Sequence, residues 1–216
     1  MSNTDIIFYL FNHTKRDTNI AFSQSSLEEN KADGYIEVSK ETFDKLYEAI
    51  NKGCIIDKDL NISEPPPGPF YTFNGKNWIL DKVTLKENIK EQRSNIWEAI
   101  KAKRSEKIQA GVYLPKTDKW FHTDGESRIR YLALMTLPLV PEGLRWKTMD
   151  NTWIPITKKI LLELMSAVMI HEQRNFEVAE LHKVAMEKLD DPSSYDFSTG
   201  WLETYEEWEA KQKVTS

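Results

Sequence analysis

Five residues in the first third of the chain, Pro65-Pro66-Pro67-Gly68-Pro69, constrain the fold more than any other feature. Proline fixes φ and lacks an N–H donor, so neither a helix nor a central strand runs through such a run. Successive prolines favour an extended polyproline II segment that acts as a semi-rigid spacer. The sequence therefore reads as an N-terminal module over 1–64, a proline-rich linker and hairpin over 65–82, a second domain over 83–201 and a tail over 202–216.

The first module carries short β-branched and aromatic runs. Residues 5–11 read as a strand, with a partner over Asn19–Ser23 across a polar loop from His13 to Thr18, and a third run over Gly34–Val38. Ser39 offers an N-cap oxygen. Phe43, Leu46, Tyr47 and Ile50 follow on one helical face, and Gly53 stands where a left-handed residue ends a helix. Cys54–Asp57 and Leu60–Ser63 read as a small hairpin. The expected architecture is a small β-sheet with one helix. After the prolines, Phe70–Phe73 and Trp78–Leu80 flank Asn74-Gly75, a strong hairpin signal.

The second domain reads as helix-rich with short β-hairpins, which makes the whole chain α+β. A helix over 84–110 bears a thin stripe of Leu85, Ile89, Ile96, Trp97, Ile100 and Ile108, and Gly111 stops it. At 1.5 Å per residue it spans roughly 40 Å. Gln92 and Arg93 interrupt the stripe, which leaves room for a homodimer through this helix. Val112–Leu114 and Trp120–His122 form the next hairpin. Thr123-Asp124-Gly125-Glu126 reads as a capping box with Glu126 at N3, opening a helix that carries the apolar residues Ile129, Leu132, Ala133 and Leu137. Leu144–Thr148 and Trp153–Ile156 pair across Asp150-Asn151. Thr157 caps a last long helix with Ile160, Leu164, Val168, His171, Val178, His182, Ala185 and Leu189 near one face, ended by Asp191-Pro192. The aromatic tail after Asp196 is not read as core.

Charge and motif content exclude several function classes. With 29 basic against 34 acidic residues, the net charge is −5, the wrong sign for a protein that neutralises phosphates. The basic residues Arg93, Lys101, Lys103, Arg104 and Lys107 alternate with Glu87, Glu91, Glu98 and Glu106, the pattern of a solvated, ion-paired helix face. The single cysteine, Cys54, has no intrachain partner and lies in an apolar run, so it reads as a buried, inert thiol. No apolar stretch is long enough to span a bilayer and the start lacks a signal-peptide pattern, so the expected compartment is the cytoplasm. His171 and His182 stand eleven residues apart on one helix, about 16 Å, too far to share a metal. His122-Thr123-Asp124 suggests a general base with its orienting carboxylate, but Thr123 and Asp124 are better explained as helix-capping residues. No nucleophile elbow, phosphate loop or dinucleotide fingerprint is present. The expectation is no catalytic residue, no metal and no cofactor.

Two stretches resemble known phage proteins. Ile36-Glu37-Val38-Ser39-Lys40-Glu41-Thr42-Phe43-Asp44-Lys45-Leu46, followed by Gly53, Ile55-Ile56-Asp57 and the proline run, resembles the N-terminal part of bacteriophage tail fibre assembly chaperones. Farther on come Arg104 and Gly111, Lys119-Trp120-Phe121-His122-Thr123-Asp124-Gly125-Glu126-Ser127-Arg128, Trp146-Lys147-Thr148-Met149-Asp150-Asn151 and Tyr195-Asp196-Phe197-Ser198-Thr199-Gly200-Trp201. In that order they resemble an uncharacterised domain of phage tail proteins. The resemblance implies a helper that binds the distal part of a phage tail fibre protein in the host cytoplasm and assists its trimerisation, with retention at the virion's fibre tip in some members. A permanent structural cap or adhesin at that tip is the alternative. An enzyme acting on surface glycans is a third reading, which would need acids lining a groove.

Binding residues are sought among aromatics on a semi-rigid module. The candidates are Tyr9 and Phe11 on the first strand, Phe70 and Tyr71 after the prolines, and Trp201, Tyr205 and Trp208 in the tail. The edge of the first sheet offers a further surface for adding a strand of the partner.

Overall fold

Residues 8–12, 14, 20–23, 31 and 34–215 are described by a computed structural model, and the chain divides into two units, Met1–Leu85 and Lys86–Ser216. In the first unit, β1 (Phe8–Phe11) lies between β2 (Ile20–Ser23) and β3 (Ile36–Val38), antiparallel to both. Residues 5–7 and 19 of the expected strands, and most of the expected loop from His13 to Thr18, lie outside the described residues. Helix α1 (Lys40–Asn51) begins at Ser39, whose Oγ accepts the Thr42 N–H at 3.1 Å.

That helix ends as its sequence demands. Gly53 has φ +76°, the left-handed region, and donates its N–H to Ile50 O at 2.8 Å. A Cβ there would stand 3.3 Å from the Pro66 ring, so this glycine also admits the proline run. Phe43, Leu46 and Ala49 form the buried face, and Phe11, Leu46, Ala49 and Ile56 share a core. Tyr47, expected on that face, is 52% exposed and stacks its ring on Phe43 instead. The expected hairpin over 54–63 narrows to a single bridge, Ile56–Ile62. The Asp57 carboxylate draws the N–H groups of Asp59 and Asn61 and the Asn61 side chain onto itself, closing the turn too tightly for a longer ladder. β4 (Tyr71–Phe73) and β5 (Trp78–Leu80) pair antiparallel, and the Trp78 indole donates to Glu64 O at 2.8 Å.

Helix α2 (Lys82–Gln109) starts two residues earlier than expected because Asp81 caps it, accepting from Val83 N and Thr84 N. Gly111, at φ +97°, turns the chain into the hairpin β6 (Val112–Leu114) and β7 (Lys119–Phe121). Helix α3 (Gly125–Thr136) corrects the expected capping box. Asp124 is the N-cap, its carboxylate accepting Ser127 N at 2.9 Å and Ser127 Oγ at 2.7 Å. Thr123 is buried and spends its hydroxyl on the Gly111 N–H at 2.9 Å. The buried face of α3 is also not the expected one. Ile129, Leu132 and Leu137 are exposed, while Ser127 and Tyr131 face inward. The large Tyr131 ring, 4.6 Å from the Trp146 ring, with its hydroxyl donating to His122 O, decides which side of the helix is buried.

The hairpin β8 (Arg145–Lys147) and β9 (Trp153–Pro155) turns through Asn151 at φ +64°. Helix α4 (Lys158–Glu187) is capped by Thr157 as expected. It buries Leu161, Leu164, Val168, His171, Asn175, Ala179 and Met186. The expected stripe drifts from this one at its C-terminal end, where Ala185 and Leu189 are exposed and the helix stops before Asp191-Pro192. The core of this unit joins Val112, Leu114, Phe121, Tyr131, Ile156, Leu161, Leu164 and Val168. The tail is structured too. Helix α5 (Tyr205–Thr215) opens with a capping box in which Thr204 N donates to Glu207 Oε2 and Glu207 N to Thr204 Oγ1. Both units combine helices with short antiparallel sheets, so the fold class is α+β.

Candidate functional site

The β6–β7 hairpin packs one face into the core and buries Trp120 on the other, where Tyr113 stays exposed, and this makes the site. Directly opposed residues share a face of the ladder. Val112, Leu114 and Phe121 point into the core. Tyr113 and Trp120 oppose each other on the other face, ring centroids 5.8 Å apart. There Trp120 meets Tyr205 at 6.0 Å and Trp208 at 6.1 Å, so the tail covers it and leaves it only 6% exposed.

Beside this aromatic cluster opens a cleft of about 360 Å³. β6 and β7 give it Val112, Tyr113 and Trp120; α4 gives Ala167, Ile170, His171 and Arg174; Leu202 and Glu203 close it. Its polar groups are unequally engaged. Tyr113 donates its hydroxyl to Asp118 at 2.6 Å, and Glu203 accepts from Lys211 at 2.6 Å. The buried Trp120 Nε1–H has no partner among the described residues. Nor is an ion pair seen there for Arg174. The His171 ring is buried, and that burial, followed by the charge of Arg128, pushes its pKa below the ordinary value, so it is neutral. Beneath it Asn175 donates to His171 O at 2.9 Å, and Arg128 pairs with Glu172 at 2.8 Å.

Two clasps hold the tail that walls the cleft. Lys107, with 5% of its side chain exposed, donates to both Glu207 oxygens at 2.6 and 2.8 Å. Burial alone would raise the Glu207 pKa, but the bonds from Lys107 and the Thr204 N–H bring it below the ordinary value. Farther along α4, His182 Nε2 lies 2.9 Å from Thr199 O and Nδ1 2.8 Å from the Tyr195 hydroxyl. A carbonyl only accepts, so Nε2 carries the proton and Tyr195 donates to Nδ1 in the neutral ring. Trp201 stacks on the same imidazole at 5.6 Å. Both histidines of α4 thus serve packing.

A second cleft, about 560 Å³, brings His122, Trp146 and Lys147 of two quoted motifs together with Arg130, Arg145 and Trp153 beside them. Its carboxylates are occupied: Asp124 caps α3, and Glu126 pairs with Arg130. Asp124 therefore serves α3 and is not seen to orient His122.

Of the aromatic binding candidates, Trp201 stacks on His182 of α4, and Tyr205 and Trp208 pack on Trp120 of β7; the tail residues that line the first cleft are instead Leu202 and Glu203. Phe11 is 1% exposed in the core of the first unit, which removes it as a contact residue: β1 alternation sends it under α1 with Leu46. Tyr9 is half-buried against Phe43 at 5.2 Å. Phe70 and Tyr71 are half-buried at the start of β4. Trp120 and Arg174 were missed in the sequence. The available signal was a three-residue strand, Lys119–Phe121, with large rings on both faces. Among the described residues no group of three His, Cys, Asp or Glu is placed to hold a metal, and no helix is long and apolar enough to cross a membrane.

A family model, described as a domain of unknown function, matches residues 91–199, just over half of the chain. No curated protein and no solved structure matches it.

Proposed function

The chain belongs to that family, DUF4376, whose description assigns no activity, and we propose that it is a binding protein, a chaperone for tail fibre assembly. It engages the distal part of a phage tail fibre protein in the host cytoplasm and protects it until trimerisation. Intertwined β-structure depends on non-local pairing, which forms slowly and exposes apolar surface and strand edges meanwhile. The observation that carries the reading is the Trp120 cleft: a largely apolar recess built on a hairpin and a long helix. Such sites hold ligands by apolar contact and a few placed polar groups. The two motif stretches named above support the choice of partner. The carboxylates lining both clefts are bonded to cations or helix ends, which supports binding over acid–base chemistry. The outer strands β2 and β3 of the first sheet supply edges for strand addition.

The test is co-expression with the fibre protein, followed by fractionation and sizing. Soluble, trimeric fibre only when this chain is present supports the chaperone. Fibre that trimerises equally well alone, with no co-elution, overturns it. A permanent cap at the fibre tip is the second reading, and stoichiometric recovery of the chain in purified particles distinguishes it.

A further inference from the structure

Charged residues make up 29% of this chain, yet one outward strip of α4 carries none. In steps of three and four residues from Lys159 the strip reads Leu162, Ser166, Met169 and Gln173, all exposed, with Ile170 beside them. That is the spacing of a helix–helix seam. Leu162, Met169 and Ile170 each keep more than half of their surface, Met169 as much as 62%. Helix α3 widens the strip. Its Arg128 pairs with Glu172 at 2.8 Å, and Lys158 at the start of α4 donates to Leu137 O, just past the end of α3, at 2.6 Å, so the two helices run antiparallel. Leu132 stands one turn from Arg128 and Met169 one turn from Glu172, so both border the line where the helices meet. Leu132 and Ile129 are also more than half exposed. Farther along α4, α2 lies against it, with the Arg104 guanidinium 4.0 Å from the Phe176 ring and Arg93 donating to Leu189 O.

The charges that bound the strip are matched to each other. Lys159 and Glu177 are eighteen residues apart, about five whole turns and about 27 Å, so they lie on one line of the helix. Both are exposed, and neither makes an ion pair among the described residues; Glu177 accepts from Gln173 at 2.9 Å. Their midpoint is Val168, beside Met169. In an antiparallel pair of α4 helices with its two-fold axis at that level, Lys159 of each copy meets Glu177 of the other, Leu162 stands level with Gln173, and Met169 approaches its own mate. A parallel pair would set Lys159 against Lys159 and Glu177 against Glu177.

We propose that the outer face of α3 and α4 joins a second copy of this chain in such an isologous, antiparallel dimer. Five turns of α4 with the shorter α3 beside them offer roughly 500–600 Å² per protomer, at the low end of specific interfaces. The dimer is therefore concentration-dependent, with a Kd on the order of 10 µM, rather than obligate. This inference goes beyond the chaperone reading and does not depend on it.

The experiment is sedimentation velocity of the full chain across about three decades of concentration centred near 10 µM. The expected result is a shift from one chain to two. Lys159→Glu and Glu177→Lys each turn two symmetry-related pairs from attraction to repulsion, so each should weaken the dimer roughly ten-fold. The double swap, Lys159→Glu with Glu177→Lys, should restore the parent's affinity to within about two-fold. Met169→Lys sets two ammonium groups beside the axis and should leave a monomer throughout. All three positions are exposed, so urea unfolding at a concentration well below the Kd should be unchanged, which separates lost pairing from lost folding. A parent chain that stays monomeric overturns the proposal. So does a dimer that survives Met169→Lys, or single-swap losses that the double swap does not repair. A monomeric parent whose Met169→Lys variant fails to yield trimeric fibre in co-expression also overturns self-pairing, and gives the face to the fibre protein. If the dimer forms as expected and co-expression with the parent chain fails, only the chaperone reading falls.

Discussion

The Lys107–Glu207 pair makes a prediction that depends on an asymmetry in its surroundings. Lys107 keeps 5% of its side-chain surface and Glu207 keeps 50%. Removing either partner breaks the same two bonds, but the group left behind differs. Glu207→Gln keeps an acceptor for the Thr204 N–H and leaves a buried ammonium facing a neutral amide. Stranding a charge in a fully buried pair costs about 3–5 kcal/mol. Water reaches the Glu207 side here, so the expected loss is about 2 kcal/mol. Lys107→Met removes the charge, keeps most of the side-chain bulk, and leaves a carboxylate that water already solvates. Its expected cost is below about 1 kcal/mol. The double variant should resemble Lys107→Met, giving a coupling of about 2 kcal/mol in a double-mutant cycle. The assay is urea unfolding followed by tryptophan emission, fitted with separate transitions for the two units. If Lys107→Met costs as much as Glu207→Gln, the ammonium is not the desolvated partner and the reasoning is wrong.

Two further outcomes follow from other sites. Burial would raise the Asp150 pKa, but bonds from Lys119, Thr148 and Thr152 outweigh it and hold the carboxyl well below its ordinary value. The unfolded chain therefore binds this proton first, so the contribution is complete above about pH 4 and lost as pH falls further. Asp150→Asn should cost about 1–2 kcal/mol at pH 7 and flatten the acid limb of stability against pH; an unchanged acid limb would show that the pair is not formed in solution. Phe11→Ala should lower the transition of the first unit by about 3–4 kcal/mol and leave that of the second in place, as read by the same urea assay.

Local chemistry was legible where one residue decides the outcome. Ser39 and Thr157 are caps because their hydroxyls accept the N–H three residues on, and Gly53 and Gly111 end helices because they take positive φ. The hairpins β4–β5, β6–β7 and β8–β9 were legible from apolar and aromatic runs around turn residues, whereas the one expected over 54–63 narrowed to a single bridge. What failed needed knowledge of distant partners. Thr123 is as good a cap by type as Asp124, and only the Gly111 N–H, brought close by the hairpin, explains why it does not serve. The periodicity of α3 allows Ile129 and Leu132 inward, yet Tyr131 wins because Trp146 and the His122 carbonyl wait for it. The Trp120 cleft was hidden for the same reason: its walls come from residues 112–120, 167–174 and 202–203, and no local pattern announces that they meet.

That same separation sets an order in time. As the chain leaves the ribosome, the hairpin and α4 emerge well before Leu202 and Glu203, and the Lys107 clasp cannot close until Glu207 is out. During synthesis the cleft is a half-built trough with the Trp120 ring uncovered. It gains its last wall only when the aromatic tail folds back across a span of some ninety residues, Val112 to Glu203. A nascent chain stalled before that point exposes the apolar surface that the tail otherwise covers. A bulky fusion on the C-terminal side of α5 would delay the same step.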